Sequence, residues 1–353
     1  MDYKSQLEEL LSIVIREGGS DLHLSEGRHP YIRVSGSLIP LVKRDILDTE
    51  TLHQYLEILL GEKNSARFKD KKEVDFSYEH KSEARFRGNA FYQQGLPSAV
   101  LRLIPKQIKT MEELNLPPIL ETFARKSQGF FLVVGPVGMG KTTTLAAMIE
   151  LINRERAEHI ITIEDPIEYV YEQKKAIIDQ REVRLDTEDF SAGLLAVFRQ
   201  DVNVLLVGEM RGHETMSAAV TAAETGHLVF STLHTNNAAQ TIDRIIDSFP
   251  ANQQDQIRIQ LASSLTGIFS QRLIPRISGG MIPAYELLIA NSAVANLIRE
   301  KRTHEINTVI ETGLQEGMID MNRSLAELVR KGEITIENAY QHSLNPKILE
   351  RLL

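Results

Sequence analysis

GFFLVVGPVGMGKTTTLAAMIELINRE, residues 129–155, runs from an apolar stretch through a glycine turn into a helical pattern. Gly135, Gly140, Lys141 and Thr142 fit the spacing G-x-x-x-x-G-K-[ST]. In a turn of this kind, successive backbone N–H groups and a helix N-terminus converge on one point, which suits a phosphate. Gly135, Gly138, Gly140, Lys141, Thr142 and Thr143 are therefore the expected nucleotide-binding residues. Lys141 is expected at the β- and γ-phosphates and the Thr142 hydroxyl at a magnesium ion, so ATP and Mg2+ are the expected cofactors. The plainer alternative is a glycine turn that merely starts a helix. The strand pattern before it and the helix pattern after it disfavour that reading.

Working outward, three more apolar runs end in polar residues. HIITI precedes Glu164-Asp165-Pro166, NVLLVG precedes Glu209-Met210-Arg211, and HLVFSTL precedes His234-Thr235-Asn236. In open parallel sheets, ligands bind beyond the carboxyl ends of the strands. One strand can end in polar residues simply because it reaches the surface. Four ends that supply a phosphate loop, two carboxylates and an imidazole describe a site. Hydrolysis needs an oriented water and a group to take its proton. Glu209, the acid closing an apolar strand, is the first candidate and is also expected to serve the Mg2+ together with Thr142. It follows Gly208, where an aspartate is the more usual residue. Glu164 is the second carboxylate; for either acid, pairing with Arg211 or another cation is the structural alternative. His234 stands at the same edge, whereas His227 stands at the opposite end of its strand and reads as structural from the residues alone. Neither an N-K-x-D guanine motif nor an H-R-D kinase loop is present, which argues against a switch GTPase and a protein kinase.

The pattern upstream is different. Leu7, Leu10, Leu11, Val14 and Ile15 predict an amphipathic helix over residues 3–17, ended by Gly18 and Gly19. Strand-like runs follow as far as Ile104: SDLHL, PYIRVSG, VDFSYEH, ARFRGNAFYQ and SAVLRLI, interrupted by a second helix at 45–68. The expected organisation is a smaller α+β domain at 1–104, a proline-bearing linker at 105–118, and an α/β domain at 119–353 that turns wholly helical from about 292. The length of 353 residues accommodates two domains at about 150 residues each. A net charge of −8 with no long basic run argues against a nucleic-acid partner. No apolar stretch approaches the roughly 18 residues of a membrane span, and the polar N-terminus does not read as a signal peptide. With no cysteine, disulfides and Cys-ligated zinc are excluded; a cytoplasmic protein is expected.

Several segments together resemble the PilT family of type IV pilus retraction ATPases, within the secretion-ATPase superfamily. ITIEDPIEY (161–169) resembles the family's Asp box and FRQDVNVLLVGEMR (198–211) its Walker B segment. AAETGHLVFSTLHTNNAAQTIDRII (222–246) resembles its His box; QRLIPR (271–276) and LIREKRTHEI (297–306) resemble C-terminal segments, and SDLHL and LNLPPIL resemble N-terminal and linker ones. The resemblance implies a PAS-like N-terminal domain before a RecA-like P-loop ATPase domain, assembled as a homohexamer that powers pilus retraction and twitching motility. It implies catalytic roles for Glu164, Glu209, His227 and His234, and arginines closing on the phosphates, best matched by Arg87 and Arg102. It further implies an inner-membrane platform protein as partner, a second ATPase of the same kind as a further one, and a peripheral position at that membrane. An accessory role beside a principal retraction motor, or a nucleotide-regulated ring with little turnover, are the alternatives. Pilus assembly ATPases carry an additional N-terminal region and a four-cysteine zinc clip, so retraction rather than extension is expected. The chain departs from the family pattern at GPVGMGKTT (usually GPTGSGKST), at Gly212 after GEMR (usually aspartate), and at Lys301 (usually glycine).

Overall fold

The computed structural model describes every residue except Met1, Ser35, Ser82, Glu83, Pro105 and Lys106. The described residues cluster into two compact units: one reaches Gln107 and includes Glu168–Val170, and the other comprises Ile108–Ile167 and Tyr171–Leu353.

The first unit contains α1 (Tyr3–Arg16), β1 (Asp21–Ser25), β2 (Tyr31–Val34), β3 (Ser37–Pro40), α2 (Thr49–Lys71), β4 (Glu73–His80), β5 (Ala84–Gln93) and β6 (Leu96–Ile104). Its strands form one sheet in the order β3-β2-β1-β6-β5-β4, antiparallel at every pairing. Alternation explains its burial: Val74 and Phe76 of β4 and Phe86 and Ala90 of β5 turn inward, with partly exposed residues between them. Leu7, Leu11 and Val14 of α1 and Leu52, Leu56 and Leu59 of α2 cover that face as one apolar cluster. The second helix, expected at 45–68, starts and ends later than that, at Thr49–Lys71, and bends at Gly61, which takes φ 61°.

The second unit begins with residues expected to be linker. Pro105 and Lys106 lie outside the described residues, but Met111 and Leu116 are buried in this unit's core. Its elements are α3 (Leu120–Ala124), β7 (Gly129–Val134), α4 (Lys141–Glu155), β8 (His159–Glu164), β9 (Ile177–Glu182), α5 (Phe190–Val197), β10 (Val204–Val207), α6 (His213–Glu224), β11 (Leu228–Leu233), α7 (Ala238–Asp247), α8 (Gln254–Ser264), β12 (Leu265–Pro275) and β13 (Met281–Ile289). Five helices complete the chain: α9 (Ser292–Arg299), α10 (Ile306–Thr312), α11 (Met321–Arg330), α12 (Ile336–His342) and α13 (Pro346–Leu352). The sheet order is β13-β12-β7-β11-β10-β8-β9, parallel throughout except for β13.

Helices on both faces bury both faces of this sheet, which is why its central strands are continuous apolar runs. In β7, Phe130, Leu132 and Val134 join one core cluster and Phe131 and Val133 the other. Each phenylalanine buried this way contributes about 1.5–3 kcal/mol relative to exposure. The four strands expected from apolar runs are β7, β8, β10 and β11. Three others, β9, β12 and β13, do not read as simple apolar runs. In β12 the sequence Ser270-Gln271-Arg272 interrupts the apolar pattern, yet Ser270 and Gln271 are buried.

Candidate nucleotide-binding site

The turn between β7 and α4 is glycine-rich for steric reasons. Gly135 takes φ 140°, and a Cβ there would stand 2.4 Å from the Gln271 carbonyl oxygen on β12. Gly140 is the N-cap of α4 at φ 77°, and Gly138 takes φ 79°. Only glycine adopts these backbone angles without strain. Helix α4 then opens at Lys141, so Thr142 and Thr143 lie in its first turn, where N–H groups have no partner four residues back within the helix. The first turn of α4 contains no acidic residue to compete with a bound anion.

Lys141 is folded back onto the loop. Its Nζ donates to the carbonyls of Gly135 (2.8 Å) and Pro136 (2.9 Å) and stands 3.3 Å from His234 Nδ1. An ammonium only donates, so Nδ1 accepts and the ring's proton resides on Nε2. That Nε2 lies 3.6 Å from Glu209 Oε2, an electrostatic contact longer than a hydrogen bond. Glu209 Oε1 in turn forms an ion pair with Arg211 Nη2 at 2.7 Å. Loop, lysine, imidazole and carboxylate thus form a line across the carboxyl edge of the sheet, from β7 through β11 to β10. Of the two acids for which pairing with Arg211 is the structural alternative, Glu209 makes that pair.

The strand ends are tied to one another. Thr232 donates to the Gly208 carbonyl (2.7 Å) and Ser231 to the Val207 carbonyl (2.8 Å), fixing the turn that carries Glu209. A Cβ on Gly208 would stand 3.3 Å from the Ile163 carbonyl, a tight approach. Glu164 is buried at the end of β8 and accepts from Thr162 (2.6 Å) and Gln180 Nε2 (3.3 Å). The turn after His234 is held by Ser270, which donates to the Asn236 carbonyl, and by Glu286, which accepts from the Ala238 amide; both contacts are 2.8 Å. Burial pushes the Glu286 carboxyl up to about 7; the Ala238 amide and Arg272 oppose this, while Asp320 adds to it.

His227 is elsewhere. It precedes β11, its ring Nδ1 is 2.9 Å from the Ala222 carbonyl, and Phe198 packs edge-on against it. The six residues of β11 separate it from His234, about 20 Å of extended chain, so it does not reach this chain's own phosphate loop. Arg87 and Arg102 belong to the first unit, where they stand opposite each other on β5 and β6. Arg102 Nε donates to the buried Asp21 at 2.9 Å. Burial pushes the Asp21 carboxyl up, but hydrogen bonds from Ser20 and Arg102 outweigh it and hold the group below the ordinary range.

Sequence reasoning missed Gln271, which sits 2% exposed against the phosphate loop. Its Nε2 donates to the Met139 carbonyl and its Oε1 accepts from Thr144, both at 2.7 Å. A buried polar residue interrupting an apolar strand was the available signal. Among the described residues, no three His, Cys, Asp or Glu side chains gather to hold a metal ion. Thr142, in the first turn of α4, is the expected protein ligand for Mg2+, an ion that keeps its waters and relies on substrate phosphates.

A parallel sheet, a glycine-rich loop running into a helix, and a carboxylate one strand removed define a P-loop nucleotide-binding protein. More specifically, the chain belongs to the Type II/IV secretion system protein family, which it matches over residues 3–344. It is 44% identical to the type IV pilus retractation ATPase PilT of Pseudomonas aeruginosa over 341 residues, 97% of this chain and 99% of that protein. It is 45% identical to the twitching motility protein of Neisseria gonorrhoeae, over 90% of this chain and 84% of that one. A crystal structure of the pilus retraction motor PilT with bound ADP superimposes with a TM-score of 0.92 at 44% identity, covering 98% of both chains.

Proposed function

We propose that this protein is an ATP-hydrolysing motor that powers type IV pilus retraction. The observation that carries the reading is the line from Lys141 through His234 to Glu209, set in a chain alike over its whole length to a retraction motor crystallised with ADP. Lys141 exchanges the Gly135 and Pro136 carbonyls for phosphate oxygens, and the amides at the start of α4 receive the rest of the phosphate charge. Glu209 orients the attacking water and accepts its proton; the Nε2 proton of His234 steadies that carboxylate between Lys141 and the water. Mg2+, held by Thr142 and served by Glu209, would supply charge neutralisation at the phosphates. Glu164 is the second acid of the site.

The working form in this reading is a homohexamer acting in the cytoplasm on an inner-membrane platform protein, with the hinge between a PAS-like domain and the ATPase domain falling ahead of Met111, which packs in the second unit's core. Arg87 and Arg102 close on the phosphates. His227, remote from its own loop, serves a neighbouring copy. Support for a cytoplasmic position includes the fact that, among the described residues, no helix is long and apolar enough to cross a membrane. ATP hydrolysis measured against protein concentration tests the proposal. Turnover per chain should rise as rings assemble, and Glu209→Gln should lower it at least 100-fold while leaving ATP binding intact. Tight ATP binding without turnover at any concentration would overturn the motor and leave a nucleotide-regulated ring.

A further inference from the structure

Gln271 touches the phosphate loop in two places. Its amide nitrogen donates to the Met139 carbonyl and its amide oxygen accepts from the Thr144 hydroxyl, so one side chain spans the turn from just before Gly140 to the first turn of α4. The carbonyl can only accept, which fixes which end of the amide faces it. The backbone oxygen of the same residue closes on Gly135 so tightly that a Cβ there would be 2.4 Å away. Next along β12, the Leu273 amide lies 3.3 Å from Met139 Sδ. Strand β12 thus meets the loop at Gly135 and Met139 and helix α4 at Thr144, through a buried side chain whose two polar ends are both matched.

The peptide plane gives this arrangement a consequence. In a trans peptide, C=O and the following N–H point in opposite directions. Holding the Met139 carbonyl toward β12 therefore turns the Gly140 N–H away from β12. We propose that Gln271 is a positioning residue for phosphate binding: it locks the Met139–Gly140 peptide so that the Gly140 amide is already aimed at a nucleotide's phosphates. The proposal rests on the nucleotide-binding reading above. An amide donor fixed before the ligand arrives costs no reorganisation when it binds, whereas glycine at 140 would otherwise let this peptide turn freely.

Two variants and one readout separate positioning from mere support. Gln271→Met removes both hydrogen bonds at nearly constant volume. Gln271→Glu keeps the acceptor for Thr144 but sets an oxygen against the Met139 carbonyl. The ADP dissociation constant is measured by calorimetry beside the ligand-free melting temperature, and the KM for ATP beside kcat. Positioning predicts ADP binding at least 10-fold weaker in both variants, with KM raised by a similar factor, kcat at saturating ATP within about threefold of wild type, and the ligand-free melting temperature nearly unchanged. Thr144→Val, which leaves the Met139 bond, should weaken ADP less than threefold. ADP affinity within twofold of wild type in a folded variant would overturn the proposal, as would affinity lost only in step with the melting temperature. Should Gln271→Met not fold, Gln271→Glu alone decides between these outcomes. If the wild-type chain itself bound no ADP, the nucleotide-binding reading would fail first, and this inference with it.

Discussion

Glu286 lies in the β13 strand with its carboxyl buried beneath the turn that follows His234, and its one backbone partner is the Ala238 amide. Burial pushes its pKa up from 4.5 to about 7. In acid the group is protonated whether the chain is folded or not. As pH rises from about 4.5 towards 7, the unfolded chain ionises first and stability falls, and above 7 the loss is complete. The full effect is roughly 3 kcal/mol. Glu286→Gln keeps an oxygen for the Ala238 amide without the titrating proton. It should therefore melt several degrees above wild type at pH 8, with the difference nearly gone at pH 4; equal gains at both pH values would refute the assignment. The same scale shows what single residues disclose from sequence. Lys141, Glu209 and His234 were legible because each stands at a recognisable strand end. The line from Lys141 through His234 to Glu209 and the tight approach behind Gly208 depend on neighbours that only the folded sheet supplies.

Helix α9 ends in a hydrogen-bond pattern that favours glycine: Lys301 N–H donates to the Ile298 carbonyl and Arg302 N–H to the Leu297 carbonyl. Lys301 sits at the left-handed position with φ 64°, where the resembling family usually has glycine. A non-glycine residue there costs on the order of 1 kcal/mol. Its ion pair with Asp255, 2.6 Å long but exposed on both sides, returns little. Lys301→Gly should therefore raise the urea midpoint by the equivalent of about 0.5 kcal/mol, after allowance for the freedom glycine adds to the unfolded chain. Lys301→Ala, which keeps the strain and loses the pair, should not. Elements were legible in proportion to the purity of their patterns. The strands β7, β8, β10 and β11 are buried on both faces and read as unbroken apolar runs. At the sheet edge, β9 reads Ile-Ile-Asp-Gln-Arg-Glu, and β12 carries Ser270, Gln271 and Arg272, because its side chains bond the phosphate loop and the turn after His234. Polar residues chosen for such contacts erase the periodicity that announces a strand.

Across the whole molecule, the two units have separate apolar cores, one built on the antiparallel sheet and the others on the parallel one. The change of texture near residue 105 made that division readable from sequence, although Met111 and Leu116 belong to the second core rather than to a free linker. Because the phosphate loop lies wholly in the second unit, ADP should raise the melting transition of that unit by RT ln(1 + [L]/Kd), about 2.7 kcal/mol at one hundred times Kd. A calorimetric scan should show two transitions, with ADP moving the one that reports the parallel sheet. Equal displacement of both would mean that the cores unfold together. The carbonyls of Gly135 and Pro136 bear on the reverse process. An ammonium as buried as that of Lys141 needs acceptors, and two dipoles of its own loop supply them. A phosphate must displace these two carbonyls from the ammonium, so product competes with an internal surrogate that never diffuses away. Such a loop favours letting go over holding on, as a machine that must repeat its stroke requires.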